Sequence, residues 1–224
     1  MSHQYENTQQ NTNGGTNYNS NEKPSWQSWD LYNPTEEHAM LRETLQSFVK
    51  SEVEPQAHEH DKKEIFNINL FRELGQLGLL GITVPEAYGG AGMDAVSAVI
   101  AHEEISYSDP GFCLAYLAHS MLLVNNVAVN ASEEQKKKYL PKLCSGEWIG
   151  GMAMSEPAVG TDVLGMQTTA VKNNSGYVIN GRKMWITNGA VDDNKTPADL
   201  VLVYAKSGEK NGRPLISTFL VEKA

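Results

Sequence analysis

The stretch MAMSEPAVGTD, residues 152–162, lies at the point where the character of the sequence changes. Before it, apolar residues recur at helical spacing, and after it short β-branched segments alternate with turn residues. Its proline, glycine and small residues indicate a loop, and a loop on a rigid scaffold can present backbone N–H groups to a ligand. The stretch is therefore a candidate binding loop, and the chain on either side of it predicts the fold class.

The chain before this loop predicts an all-α region. Pro34 suits the first position of a helix, and this helix should end before Pro55, because a residue that precedes proline disfavours the α conformation. Ser132 followed by two glutamates is typical of a capped helix start. The fourth helix is so apolar that we expect burial on most of its faces. The predicted helices cover residues 34–54, 70–79, 95–106, 112–129 and 132–139.

The chain after the loop predicts a sheet, because short β-branched or aromatic runs alternate with turns such as NNSG and NG. The predicted strands cover residues 163–171, 176–179, 182–186, 200–205 and 215–221. The fold class is therefore α+β, with an N-terminal all-α helical domain, residues 31–150, followed by an antiparallel β-barrel-like domain, residues 151–224. We expect that β-domain to be incomplete, since the sequence stops directly after a strand and would leave an open sheet edge.

Composition argues against several classes of protein. The chain has 224 residues, with 27 Asp and Glu against 18 Lys and Arg and a net charge of −9, which argues against a nucleic-acid binder. No apolar run reaches the roughly 18 residues of a membrane helix, so we expect no membrane span. Residues 1–30 are too polar to pack and should form a disordered tail. With neither a signal nor a transit peptide recognisable, the expected location is cytoplasmic.

Other reactive residues do not indicate a site. Cys113 and Cys144 lack CxxC spacing and are predicted to be buried free thiols. His102 precedes two glutamates on a helix, where neighbours in sequence point in different directions, so no metal site is predicted. His119 and Ser120 lack a third partner for nucleophilic catalysis. We expect His119 to be buried or to line a substrate-facing helix end.

Four stretches of the sequence form an ordered set of motifs: GLLGITVPEAYGGAGMD from Gly78, YLAHSMLLVNN from Tyr116, EEQKKKYLPKLCSGEWIGGMAMSEPAVGTDV from Glu133 and NGRKMWITNGA from Asn180. In order and at matching separations, they resemble the acyl-CoA dehydrogenase family of flavoenzymes. Together they extend the likeness over residues 33–223. Within the family, the loops are most similar to the branch that acts on isovaleryl-CoA.

The resemblance implies FAD-dependent α,β-dehydrogenation of a short branched-chain acyl-CoA, from isovaleryl-CoA to 3-methylcrotonyl-CoA in leucine breakdown. In the family a base removes the α-proton, the β-hydride passes to N5 of FAD, and electron-transferring flavoprotein reoxidises the flavin. A homo-oligomer, in the family a tetramer, is also implied. The family's catalytic glutamate belongs to a C-terminal helical bundle beyond Ala224, so no catalytic residue is assigned and the chain is expected to be a fragment of the enzyme.

Two alternatives to this function stay open. An oxidase, or a dehydrogenase for another acyl chain, would share the same loops, and reactivity of the reduced flavin toward oxygen would identify the oxidase. A truncated, non-catalytic remnant would keep the loops without activity, and no acyl-CoA would bleach its flavin.

By the same resemblance, matching positions in two loops are predicted to bind FAD. One loop passes along the flavin ring and the pyrophosphate, and the other packs a tryptophan beside the ring and places a hydroxyl near N5. Thr161 also matches a position near the CoA thiol arm, so it is the predicted substrate-binding residue. The predicted cofactor-binding residues are Met152, Ala153, Met154, Ser155, Glu156, Gly160, Thr161, Trp185, Ile186 and Thr187.

Without the resemblance, several of these residues have simpler explanations. Trp185 could be a core aromatic, Thr187 a strand residue before a turn, and Ser155 a turn cap. Gly160 could serve only to permit a positive φ. Residues 191–199 form a longer segment than the usual turn of the family, and we expect a polar surface insertion there.

Overall fold

Helices fill the first part of the chain. The computed structural model describes residues 30, 32–192 and 194–223, and these contain seven α-helices. The predicted disordered tail, residues 1–30, lies outside the described residues except for Asp30. The helices are α1 (Glu36–Phe48), α2 (Glu54–Lys63), α3 (Ile68–Gln76), α4 (Ala95–Ser108), α5 (Pro110–Leu117), α6 (Asn126–Asn130) and α7 (Glu133–Cys144).

Two prolines do not end helices where the sequence predicts. The first helix does not stop before Pro55, because a π-helical turn, Val49–Val53, joins α1 to α2. This turn leads directly into α2, and Pro55 is the second residue of that helix. Pro141 lies inside α7, which runs to Cys144 instead of ending at 139. The carbonyl that Pro141 leaves without a donor belongs to the exposed Lys137, where water can hydrate it.

The apolar helix is continuous from Pro110 to Asn130, since a π-helical segment, Ala118–Asn125, joins α5 to α6. By length and composition it is the one helix of the described residues that could cross a membrane, so the expectation that no apolar run reaches this length needs correction. A buried core helix meets the same test, and 56% of its most apolar window lies inside the protein. The helix packs against α4, α7 and the first strand, which is the position of a core helix.

The strands form one mixed sheet around a long central strand, β4. β5 pairs antiparallel with β4 along its length, and β1 pairs in parallel with the first four residues of β4. β2 meets β4 at a parallel pairing of Thr169 with Lys206, and β3 pairs antiparallel with β2. The strands are β1 (Gly150–Ala153), β2 (Thr169–Asn173), β3 (Gly176–Asn180), β4 (Leu200–Lys210) and β5 (Arg213–Glu222).

The predicted fold class, helices followed by a sheet, is confirmed, but the sheet is not purely antiparallel. β1 was not predicted, because its sequence, GGMA, lacks β-branched residues. Residues 163–165 form a 3₁₀ turn rather than the start of a strand. Residues 182–186 form no strand, and Trp185 among them has a left-handed backbone. The assignment of residues 31–150 and 151–224 as separate domains stays a prediction.

A buried histidine joins the helices to the sheet. His119 Nδ1 accepts a hydrogen bond from the backbone N–H of Gly150 at 3.1 Å, and its Nε2 lies 3.0 Å from the carbonyl oxygen of Leu143. Because the N–H of Gly150 needs an acceptor, the ring proton must sit on Nε2, where it is donated to Leu143. Burial lowers the pKa of His119 to about 4, so the ring is neutral at neutral pH.

The absence of a side chain at Gly150 allows this close packing. A Cβ there would overlap the carbonyl oxygen of Leu200 on β4 and the side chain of Leu123 on the apolar helix, Pro110–Asn130, which we call the central helix. The start of β1 is therefore pressed between the central helix and β4, and only glycine fits at this point.

We expect the free energy of unfolding to decrease as the pH falls from 6.5 to about 4, because the unfolded chain binds a proton at His119 over this range and the folded protein does not. The loss at the lower end would be about 3 kcal/mol from this residue. Urea unfolding across this pH range measures it. His119→Gln should flatten the pH dependence, whereas His58→Gln, at an exposed histidine, should retain it. If the free energy of unfolding fell equally with pH in His119→Gln and in wild type, His119 would not be the source of the pH dependence.

Candidate functional site

Two loops lie side by side beyond the end of β1. The first loop, residues 154–162, continues from β1, and the second loop comprises residues 181–189. The backbone N–H of Met184 donates a hydrogen bond to the carbonyl oxygen of Ser155 at 2.9 Å. The carbonyl oxygen of Thr187 lies so close to Gly151 that a Cβ at Gly151 would overlap it. The structure thus brings together the two loops that the sequence indicates.

Glu156 supports the first loop from inside the protein. Its buried carboxylate accepts hydrogen bonds from the backbone N–H groups of Gln167 at 2.6 Å and Thr168 at 3.0 Å, and from Lys183 Nζ at 2.9 Å. Lys183 Nζ also donates to the carbonyl oxygen of Met154 at 2.9 Å. Burial by itself would raise the pKa of Glu156, but the hydrogen bonds outweigh burial and lower this pKa to about 2. An ionised, fully engaged carboxylate of this kind is unsuited to remove a proton from a substrate.

The side chain of Trp185 projects into solvent from a strained backbone. Its exposed fraction is 79%, so the alternative of a core aromatic is wrong. Its φ of 57° lies in the left-handed region, which is rare for a bulky side chain and costs about 1–3 kcal/mol. Strained residues of this type cluster at sites that contact ligands, and an exposed indole offers a large apolar face. Trp185 is therefore the strongest single indication of a binding site.

The other predicted site residues differ in exposure. Ala153 is buried in β1, and Gly160 and Thr161 are exposed. The φ of Gly160 is not positive, so the explanation by backbone conformation is wrong, and a Cβ there would meet no atom of the described residues within 4 Å. Nothing within this part of the chain therefore requires glycine at position 160. The partly buried residues are Met152, Met154, Ser155, Ile186 and Thr187.

Two residues that no sequence pattern predicts, Asn188 and Lys183, hold the loops. The buried amide of Asn188 donates from Nδ2 to the carbonyl oxygens of Ala115 at 2.9 Å and Gly150 at 3.1 Å. The NG dipeptide indicates a turn, but no local pattern shows that this amide faces inward. Lys183 lies in a polar run that likewise gives no indication of a buried partner.

An apolar groove of about 830 Å³ runs between α4 and α5. Val99 and Leu114 on its walls are more than half exposed, and Leu117 and Met121 extend the apolar lining along the central helix. The same helix reaches the second loop through Ala115, whose carbonyl oxygen accepts the hydrogen bond from Asn188. One helix therefore contributes both to the groove and to the support of the loops.

His102 lines this groove and is held by groups of its own region. Its Nδ1 lies 2.6 Å from the carbonyl oxygen of Ala98, and its ring packs against Tyr116. The neighbouring Glu103 and Glu104 both pair with Arg42 on α1. In the part of the chain that the structure describes, no three His, Cys, Asp or Glu residues are grouped as a metal site would require.

The two cysteines are buried and free, as predicted. Burial raises the pKa of Cys113 to about 11 and that of Cys144 to about 12. Both thiols are protonated at neutral pH, and a protonated thiol is a poor nucleophile. The chemistry of the site therefore does not depend on them.

Comparison with known proteins agrees with this architecture. The sequence profiles "Acyl-CoA dehydrogenase, N-terminal domain" and "Acyl-CoA dehydrogenase, middle domain" match residues 35–147 and 151–224. Mitochondrial isovaleryl-CoA dehydrogenase of Arabidopsis thaliana is 43% identical over 82% of this chain and 44% of its own length. Mitochondrial 2-methylacyl-CoA dehydrogenase of Solanum tuberosum is 40% identical over 82% of this chain and 43% of its own length.

A solved structure of acyl-CoA dehydrogenase from Bacillus anthracis, complexed with FAD, superposes with a TM-score of 0.71 at 41% sequence identity. The match covers 84% of this chain and 31% of that chain. This chain thus spans less than half the length of each of these three proteins.

We expect Glu156→Gln to lower the free energy of unfolding by about 3–5 kcal/mol, because it leaves the Lys183 ammonium buried without its counter-charge. Lys183→Met should lower the free energy of unfolding by a similar amount, because it leaves the Glu156 carboxylate buried without its counter-charge. The double substitution removes both charges and should cost less than the sum of the two single changes. Urea unfolding of the four proteins measures the coupling, and strictly additive effects would contradict the pairing.

Two glycines of the site provide a matched pair for testing the contact between the loops. Gly151→Ala should lower the free energy of unfolding by about 1–3 kcal/mol, because the new Cβ would push the second loop away from β1. Gly160→Ala should change it by less than about 0.5 kcal/mol, since its Cβ would project into open space. Chemical denaturation measures both, and equal effects of the two substitutions would contradict the described contact.

Proposed function

Because the chain belongs to the acyl-CoA dehydrogenase family, we propose that it forms part of an FAD-dependent enzyme that dehydrogenates a short branched-chain acyl-CoA between its α and β carbons. The observation that carries the proposal is the pair of adjoining loops, with the exposed indole of Trp185 on one of them. The half-buried hydroxyls of Ser155 and Thr187 lie on the same two loops. An apolar surface flanked by hydroxyl groups is suited to a flat, polar-edged ring.

The residues present fit a flavin. The indole of Trp185 offers a flat apolar face to an isoalloxazine ring, and hydroxyl groups can donate to or accept from its polar edge. Gly160 has no side chain, and a Cβ there would meet no described atom, so a phosphate could approach its backbone closely. When bound, FAD supplies the hydride acceptor, while the protein supplies orientation and electrostatics.

Each of these residues has a proposed task. Trp185 packs beside the flavin ring, and Thr187 places its hydroxyl near N5. Ser155 hydrogen-bonds the polar edge of the ring. Gly160 and Thr161 lie by the pyrophosphate, and Thr161 also contacts the thiol arm of CoA. The backbone around them is supplied by Met152, Ala153, Met154, Glu156 and Ile186.

The acyl chain of the substrate fits the apolar groove between α4 and α5. Leu114, Leu117 and Met121 offer apolar side chains without competing hydrogen-bond donors, and burying a short branched chain there would remove apolar surface from water. The central helix connects this groove to the second loop through Ala115 and Asn188. Groove and loops are thus held by one element, as a substrate that spans both would require.

Isovaleryl-CoA is the proposed substrate, and leucine breakdown the proposed process. Relatives named for isovaleryl-CoA and for 2-methylacyl-CoA are nearly equally similar to this protein. Their similarity supports a short branched acyl group more strongly than it supports a particular position of the branch. Electron-transferring flavoprotein is the proposed electron acceptor, and a homotetramer the proposed assembly. Proton removal is assigned to no residue of this chain. The cytoplasmic location stays a prediction.

We expect Trp185→Ala to raise the Kd for FAD by roughly tenfold or more, because the substitution removes the packing face for the ring. The unfolding temperature should stay near that of wild type, since the indole is exposed. Quenching of flavin fluorescence measures the Kd. Tyr107→Ala, at an exposed aromatic on α4, is the control and should bind FAD like wild type. Equal affinities in Trp185→Ala and wild type would contradict the assignment.

The substrate is tested by the absorption spectrum of bound FAD, which an acyl-CoA bound beside the ring perturbs. We expect isovaleryl-CoA to perturb the spectrum at lower concentration than 2-methylbutyryl-CoA or straight-chain butyryl-CoA. Tighter binding of 2-methylbutyryl-CoA would move the proposal to the alternative branched substrate. Tighter binding of butyryl-CoA would contradict a branched-chain enzyme.

A further inference from the structure

We propose that Asn188 positions the cofactor-binding side chains of the second loop, an inference that rests on the function proposed above. Its buried amide holds the turn of residues 186–189 against β1 and the central helix. The position of this turn determines where Trp185 and Thr187 lie. Asn188 is a positioning residue in this proposal, because its side chain faces the interior and acts through its neighbours.

The turn requires an unusual backbone conformation at Asn188. The N–H of Gly189 donates to the carbonyl oxygen of Ile186 at 2.9 Å, which closes a four-residue turn with Asn188 in its third position. Asn188 has a φ of 61°, in the left-handed region. Glycine and asparagine are the residues that adopt this conformation most readily. Backbone conformation alone would therefore allow either residue at position 188.

The side chain explains why asparagine rather than glycine occupies this position. Both partners of its Nδ2 are carbonyl oxygens, those of Ala115 and Gly150, so only the amide NH₂ can face them. Asn188 is 9% exposed, so water competes little for these hydrogen bonds. Aspartate has no such donor, and glycine has no side chain. Asparagine meets the backbone requirement and supplies the two hydrogen bonds at once.

These bonds fix the turn relative to the joint between helices and sheet. Gly150 accepts from Asn188 through its carbonyl oxygen and donates to His119 through its N–H. One residue earlier than Asn188, the carbonyl oxygen of Thr187 packs against Gly151. A turn held at these points leaves little freedom for the side chains it carries. Loss of the amide would let the second loop move away from β1.

The test compares Asn188→Gly and Asn188→Asp with wild type. Glycine keeps the left-handed turn and removes the donor, and aspartate keeps the shape but turns a carboxylate toward two carbonyl oxygens. Hydrogen–deuterium exchange of the cofactor-free protein reports the mobility of residues 184–190. FAD titration of the same proteins reports the Kd. We expect faster exchange confined to this segment and a Kd raised by roughly tenfold in both variants.

Asn211→Gly is the matched control. Asn211 also has a left-handed backbone, with a φ of 54°, but it lies in the exposed turn between β4 and β5. The same change of residue type at the same backbone conformation should leave both the exchange of residues 184–190 and the Kd for FAD as in wild type.

Several results would overturn the positioning role. Exchange of residues 184–190 in both Asn188 variants equal to that in Asn211→Gly would show that the amide does not hold the turn. Uniformly faster exchange along the whole chain, or failure of both variants to fold, would show a purely structural residue. Failure of wild type to bind FAD would instead contradict the proposed function, and the exchange measurement would still decide whether Asn188 holds the loop.

Discussion

The backbone of Gly150 is the point on which both parts of the structure depend. Its N–H donates a hydrogen bond to His119 on the central helix, and its carbonyl oxygen accepts a hydrogen bond from Asn188 of the second loop. A side chain at this position would overlap Leu200 on β4, so β1 can pack this closely against β4 only because the residue is glycine. Leaving one of these buried groups unpaired would cost about 1–3 kcal/mol. Helices, sheet and both loops therefore share one joint, and the loops take their geometry from it.

The candidate site combines buried, hydrogen-bonded charged groups with an exposed outer surface. Beneath the loops, the carboxylate of Glu156 and the ammonium of Lys183 engage each other and neighbouring backbone groups. Above them, Trp185 adopts a left-handed backbone and leaves its indole in solvent. Such strain persists only where the surroundings over-determine the conformation, which the buried pair and Asn188 do here. The strain and its support together favour a preorganised binding surface.

The central helix connects the two ends of the proposed substrate complex. Its π-helical segment, Ala118–Asn125, carries His119 toward the sheet, while Leu117 and Met121 line the apolar groove. π-helical turns are often found at functional sites, because the extra residue in the turn re-aims the side chains around it. Here a single helix serves a polar joint on one side and an apolar groove on the other. The separation between acyl group and flavin would then be set by one rigid element.

The sequence by itself determined that helices precede the sheet and that the first loop comes where the helical pattern ends. These follow from apolar periodicity, caps and turn residues, which are properties of short segments. Tertiary structure decided the placement of β1, whose GGMA sequence has no strand pattern, and the continuation of helices through Pro55 and Pro141. It also decided the role of Asn188, whose partner Ala115 lies 73 residues away along the chain. Burial and long-range hydrogen bonds depend on residues that only the folded chain brings together, so no local pattern could reveal them.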